Sequence, residues 1–199
     1  MSPLVALREA PFVVFDTETT YSDGVNKLVE IGAVRVIWGK VESHFTRLVD
    51  PGCPLSKETC HLTGITQSML LRKPPATKVI EEFLAFAKDA VFVAHNAPFD
   101  AGVLRNVETW KDHEAQNGSL IIDTLRLSRR LYPSFPRHGL DQLMHLFGIM
   151  VTPRHRALPD ALATAHLFHL FLTNLTDQYN VKNIEELVGF MTRPKRQVS

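Results

Sequence analysis

Asp16 and Glu18 stand two residues apart in Phe15-Asp16-Thr17-Glu18-Thr19-Thr20, directly after the apolar run Phe12-Val13-Val14-Phe15. In an extended chain that spacing puts both carboxylates on one face and Thr17 on the other. Asp100 and Asp160 follow prolines, in His95-Asn96-Ala97-Pro98-Phe99-Asp100 and His155-Arg156-Ala157-Leu158-Pro159-Asp160. Proline suits a first helical turn, so both acids are expected at the starts of helices. Carboxylates gathered in a cleft repel one another. Mg²⁺ or Mn²⁺ removes that conflict, because hard cations take carboxylate oxygens and leave room for water or substrate phosphate. Taken singly, Asp100 and Asp160 have a plainer role as stabilisers of helix N-termini. Acids directly after Phe-Val-Val-Phe are costly unless paired or used. His155, five residues before Asp160 on the incoming loop, carries a side chain that titrates near neutrality and can serve as a general base. As one histidine among nine, it is on its own more simply a satisfied surface residue.

These side chains need elements to position them. Residues 12–15 read as a strand buried on both faces. Residues 28–38 and 43–49 read as two more strands, paired as a hairpin around Gly39-Lys40. Pro51-Gly52 breaks the chain, and Val79, Phe83, Phe86 and Ala87 then recur on one helical face. A short strand at 91–94 leads to a helix opened by Pro98, and a fifth strand is expected at 120–122. Helices are expected near 124–131 and 139–147, over 158–173 and over 184–190. Three leading strands followed by strand–helix alternation give an α/β fold with a mixed sheet. In such sheets sites gather beyond the carboxyl ends of strands, where all four acids fall.

At 199 residues the chain suits one ordinary domain, expected over 1–192, with a basic tail at 193–199 expected to be disordered. Its formal net charge of +1 does not advertise a polyanion partner, so such a site must be local or work through metal ions. Two cysteines exclude a disulfide-rich secreted scaffold. No apolar run reaches the roughly 18 residues of a membrane span, and the opening MSPLVALREA is a poor signal peptide. A cytoplasmic protein is expected.

The three acidic segments, in this order, closely resemble the three exonuclease motifs of the DEDDh family, which includes the epsilon- and PolC-type proofreading exonucleases of bacterial DNA polymerase III. Leu62-Thr63-Gly64-Ile65-Thr66 and Ile122-Asp123-Thr124-Leu125 also look like family stretches. The resemblance implies a ribonuclease-H-like fold, a mixed five-stranded sheet flanked by helices. It implies 3′→5′ removal of nucleoside 5′-monophosphates with two divalent cations, Mg²⁺ or Mn²⁺. Asp16, Glu18, Asp100 and Asp160 would be the metal-binding acids and His155 the general base. Thr17, Thr19, Thr63, Gly64, Ile65, His95, Asn96 and Phe99 would meet the substrate. The expected substrate is a single-stranded or mismatched 3′ end of DNA, in proofreading or repair and with a replicative polymerase as possible partner. An RNA-trimming exoribonuclease is the alternative. A non-catalytic binding module should have lost an acid or the histidine, and all five are present. Tyr21 departs from the family, which often has glycine there.

Several stretches have two readings. Thr63-Gly64-Ile65 could border the terminal-nucleotide pocket or form an ordinary turn between helical segments. Asn96 could touch substrate, cap the helix that follows, or both. Phe99 could pack under a base, though an aromatic beside a strand end more often belongs to the core. Gln142-Leu143-Met144-His145-Leu146-Phe147 superficially resembles a sliding-clamp-binding peptide, but its apolar spacing fits a buried helix face. His166 with His169, and Cys53 with Cys60-His61, lack a full zinc ligand set. The basic tail could touch phosphates and is more simply solvated.

Overall fold

The structure, a computed structural model, describes residues 6–118, 120–152 and 155–192. The tail at 193–199 lies outside the described residues. Phe12–Ser22 (β1), Val25–Ile37 (β2) and Lys40–Leu48 (β3) form an antiparallel meander. Val91–Ala94 (β4) and Ile121–Asp123 (β5) add in parallel on the other side of β1, giving the order β3-β2-β1-β4-β5. Both hairpin turns, Asp23-Gly24 and Trp38-Gly39, place two consecutive residues at positive φ. That is the primed turn geometry which matches strand twist. The second turn therefore sits one residue earlier than Gly39-Lys40.

β1 runs far past the expected 12–15. Its partner β4 pairs only with Phe12 to Val14, whereas β2 pairs with β1 as far as Ser22. Beyond Val14 the strand has a hairpin neighbour on one side only. Its alternation of apolar and polar residues is weaker there, and Asp16 and Glu18 lie inside the strand rather than after it.

Helices cover both faces. On one face Phe12, Val14, Val34 and Val36 pack against Thr124–Leu131 (α6), Leu140–Phe147 (α7), Ala157–Tyr179 (α8) and Ile184–Thr192 (α9). Phe12 meets Phe168 of α8 edge-on, with ring centroids 4.9 Å apart. On the other face Val13, Phe15, Ile31 and Ala33 pack against Ala76–Phe86 (α3), Ala97–Leu104 (α4) and Glu108–Asn117 (α5). Burying one such side chain is worth about 1.5–3 kcal/mol. Two short helices, Lys57–Thr63 (α1) and Gln67–Leu70 (α2), flank the far end of β1. α1 hangs from that strand: Ser56 N–H donates to Thr20 Oγ1, and Thr59 Oγ1 donates to the Thr19 carbonyl. No helix of the described residues is long and apolar enough to cross a membrane.

Candidate metal centre and active site

The α8 end of the site is built on a glycine. Gly32 of β2 pairs with Asp16 of β1, and a Cβ at position 32 would collide with the backbone of Ala157 and Leu158. Only glycine lets the first turn of α8 lie this close to the sheet. That contact brings Asp160 over β1. Asp16, Glu18 and Asp160 each turn one carboxylate oxygen to within 4.8 Å of the other two. Asp160 is buried and the other two are half-buried. Three clustered carboxylates out of bulk water call for a cation, and their oxygens suit a hard divalent ion.

Asp100 is not part of that trio. Thr17 points to the opposite face of β1, and its hydroxyl donates to Asp100 Oδ1 at 2.7 Å. Asp100 lies in the first turn of α4, at the helix start expected for it. Burial pushes its pKa up to about 7; the Thr17 hydrogen bond works against this, and the charge of Asp123 adds to it. The expectation of four carboxylates in one place is therefore refined: three meet on the α8 face of β1, and the fourth is held through Thr17 on the α4 face. The pleat of β1 separates them, since Thr17 lies between Asp16 and Glu18.

Asp123 is a carboxylate that motif spacing does not single out. It N-caps α6 through Leu125 N–H and also accepts from Asn96 N–H at 3.1 Å. It thereby ties the end of β5 to the turn that carries Asp100. His95 places Nδ1 2.9 Å from Thr124 Oγ1, across the same pair of strand ends. Asn96 is the N-cap residue of α4 but adopts left-handed backbone and makes no side-chain cap bond. The capping reading of Asn96 is thus corrected: it holds the cap position, in a left-handed conformation rather than the extended one in which a cap side chain reaches the helix N–H groups. Phe99 is 43% exposed, so the core reading is corrected as well. It stands on the open side of α4, one residue before buried Asp100.

His155 is half-buried and holds a left-handed backbone at φ 57. For a residue with a Cβ this conformation costs about 1–2 kcal/mol and needs outside support. The support comes next door. Glu30, 2% exposed on β2, receives Arg156 Nη2 at 2.6 Å and Nε at 3.0 Å, and also accepts Ala157 N–H at 3.0 Å. Glu30 faces Glu18 directly across the β1–β2 pair, just before the register shifts. Hydrogen bonds to Glu30 raise the Arg156 pKa; partial burial works the other way, and the charges of Glu30 and Glu18 add to the rise. Arg156 therefore sets a positive charge against two facing carboxylates and ties the residue after His155 to β2.

Thr63 and Ile65 have side chains turned inward. The Thr63 hydroxyl donates to the Thr59 carbonyl and accepts from Ile65 N–H, and Ile65 packs with Val29 and Leu70. Gly64 is the left-handed C-cap of α1 and is exposed, beside half-exposed Leu62. Thr19 is half-buried, its carbonyl committed to α1. In the 142–147 segment, Leu143 and Met144 are buried in α7 and Phe147 packs on the core, as a buried helix face requires. His166 and His169 are exposed on α8, and Cys53 and Cys60 are free thiols. None of these belongs to a metal-capable group among the described residues.

The sequence pattern of the family described as Exonuclease (RNase_T) matches residues 13–168. The chain is 40% identical over 183 residues to DNA polymerase III PolC-type of Streptococcus thermophilus, covering 91% of the chain and 12% of that protein. The match to the Streptococcus suis counterpart is 40% over 184 residues, again spanning 12% of the relative. The chain thus spans about an eighth of the length of these curated relatives. Among solved structures, Exonuclease X in complex with 5′ overhanging duplex DNA superposes with a TM-score of 0.70 at 30% identity, covering 90% of this chain and 99% of that one. The nuclease domain of 3′hExo, a DEDDh family member bound to rAMP, shares the fold at 17% identity and TM-score 0.69, covering 85% of this chain and 95% of that one. A mixed five-stranded sheet with the acidic trio over β1, a pattern match across most of the chain and full-length likeness to an exonuclease agree: the chain belongs to the exonuclease family, and it carries an acidic cluster of the kind a divalent ion suits.

Proposed function

We propose that the protein is a 3′→5′ exonuclease, dependent on Mg²⁺ or Mn²⁺, that removes nucleoside 5′-monophosphates from single-stranded or mismatched 3′ ends of DNA in proofreading or repair. The observation that carries this reading is the convergence of Asp16, Glu18 and Asp160 on the face of β1 reached by α8. The likeness to a stretch of a replicative polymerase supports DNA as substrate, a polymerase as partner and the cytoplasm as location. Divalent cations held there supply charge neutralisation for the scissile phosphate and a more acidic water.

The chain's own residues do the rest. Asp16, Glu18 and Asp160 hold the ions, with Asp100 as the fourth acid from the other side of β1. His155 accepts the proton as the water oxygen attacks phosphorus. The bond from phosphorus to the 3′ oxygen breaks in line, and that oxygen takes a proton from solvent to leave as the new 3′ hydroxyl. No covalent bond to the protein forms. Exposed Phe99 would stack on the terminal base, and exposed Gly64 would let the backbone of the α1 end approach the nucleotide.

End-labelled single-stranded DNA, mismatched primer–template and single-stranded RNA, each digested with Mg²⁺, Mn²⁺ or EDTA, test the reading. Stepwise shortening of DNA from the 3′ end with either metal and none in EDTA is expected. Nicking of closed circular DNA, or full activity in chelator, would overturn it.

A further inference from the structure

Most arginines elsewhere among the described residues are engaged. Arg8, Arg47, Arg105 and Arg156 reach carboxylates, and Arg35 reaches the carbonyls of Phe86 and Lys88. Arg126 and Arg129 of α6, and Arg137 on the loop after it, are exposed and form no ion pair among the described residues. Arg126, Arg129 and Arg130 fall on one helical face, opposite buried Leu127 and Leu131. Arg126 and Arg130 are one turn apart, about 6 Å along the axis. They feel each other: burial first, and then the charge of Arg126, lowers the pKa of Arg130. Like charges at this spacing destabilise a helix.

Helix stability does not account for the arrangement. Arg129 and Arg130 lie in the last turn, where the dipole favours cations. Arg126 lies in the first turn, where the dipole opposes it and where Asp123 at the N-cap is the nearest acid. The N-cap acid Asp123, three residues before Arg126, is the one negative charge at this helix end to set against three arginines.

Location gives the face a use. α6 starts at Asp123, whose carboxylate holds the Asn96 turn and whose charge is felt by Asp100. The basic face thus begins at the edge of the candidate active site and runs away from it. It is firmly seated, with Leu127 and Ser128 fully buried, and the Ser128 hydroxyl 3.0 Å from His138 fixes the loop that carries Arg137. Guanidinium groups bind phosphate oxygens by paired hydrogen bonds.

We propose that Arg126 and Arg129, with Arg137 beside them, form a track for backbone phosphates of a nucleic acid whose 3′ end lies in the carboxylate cluster. The proposal rests on the nuclease reading and extends it from the terminal nucleotide to the strand behind it.

The test compares wild type, Arg126→Glu/Arg129→Glu and Arg126→Gln/Arg129→Gln. Binding of a fluorescein-labelled oligothymidine long enough to leave the cleft is measured in EDTA by anisotropy across a salt series. The glutamate pair should bind tenfold or more weaker. The salt slope of log K should drop by about 1.4 in both variants, because each single-strand phosphate left without its guanidinium takes about 0.7 from the slope. The glutamine pair keeps the measurement decisive if charge reversal disturbs folding. Wild-type affinity and slope in both pairs would overturn the proposal. In parallel, the p-nitrophenyl ester of thymidine 5′-monophosphate, which has no phosphate to reach α6, is offered with Mn²⁺. All three proteins should cut it at equal rates. Failure of the wild type to cut it would count against the nuclease reading and leave the binding result to stand.

Discussion

Glu30 and Arg156 face each other across 126 residues of sequence and form a bidentate ion pair whose carboxylate is almost wholly buried. The same carboxylate receives the Ala157 N–H at the start of α8. One side chain on β2 thus fixes the residue after His155 and the helix that carries Asp160. Glu30→Gln keeps the shape but weakens the Arg156 fork and the Ala157 N–H bond together. Breaking one side of a buried pair costs up to about 3–5 kcal/mol, and partial exposure of Arg156 places this case toward the lower end. Urea unfolding should show the loss, and turnover should fall more than substrate binding. Arg156→Lys should show a milder form of both, because an ammonium cannot reproduce the fork. Unchanged turnover in a stable Glu30→Gln protein would separate the pair from catalysis.

Asp16→Asn and Asp160→Asn should each abolish exonuclease turnover. In EDTA their thermal midpoints should equal or exceed that of the wild type, because each removes one charge from a self-repelling trio. Differential scanning with and without Mg²⁺ makes the comparison. Near-normal turnover of either variant at saturating metal would withdraw that residue from the cluster.

Asp100 gives the metal-free protein a pH dependence of unusual sign. Its folded pKa of about 7 stands above the ordinary value of 3.8. Below pH 4 the carboxyl is protonated in both folded and unfolded chains, and its contribution to stability is fully present. As pH rises through 7 the folded protein must bury a charge, and that contribution is lost. Midpoints in EDTA should therefore fall between pH 4 and pH 7 relative to Asp100→Asn, which lacks this titration. Thr17→Val removes the donor that favours the charged form and should extend the fall to higher pH.

His155→Ala should lose about 10²–10⁴-fold in turnover, the usual scale for a general base, while the acids keep their metal affinity. The alkaline rise of the rate should also flatten. An unchanged rate and pH profile would remove His155 from the mechanism.

Much of this site was legible because its signals are local. Asp16 and Glu18 declare themselves by strand spacing after an apolar run, and Asp100 and Asp160 by prolines at helix starts. What stayed hidden depends on residues far apart. Nothing around Glu30 in Leu28-Val29-Glu30-Ile31 signals a partner at Arg156, and the lack of a Cβ at Gly32 acquires meaning only once α8 lies on it. α5 escaped because Trp110 is its one buried residue, so no apolar stripe marks a helix. The far half of β1 escaped for a related reason: paired on one side only, it loses the two-sided burial that identified residues 12–15. Thr17 was placed correctly on the opposite face, but its bond to Asp100 required knowing on which side of the sheet α4 packs.

The seat of α8 on Gly32 also bears on how the molecule comes apart. Asp16 and Glu18 belong to the first strand and Asp160 to the longest helix, so the trio closes a loop through most of the chain. β1 alone carries two of the three ligands, Asp16 and Glu18, and the set is complete only when α8 docks and brings Asp160. A divalent cation caught there clasps early and late elements of the fold together. Its binding energy is drawn from global rather than local unfolding, and adds RT ln(1 + [M]/Kd) to the stability of the entire unit. Amides in the cores of β1 and α8 should then gain equal hydrogen-exchange protection when Mg²⁺ is added, although they lie on opposite sides of the clasp.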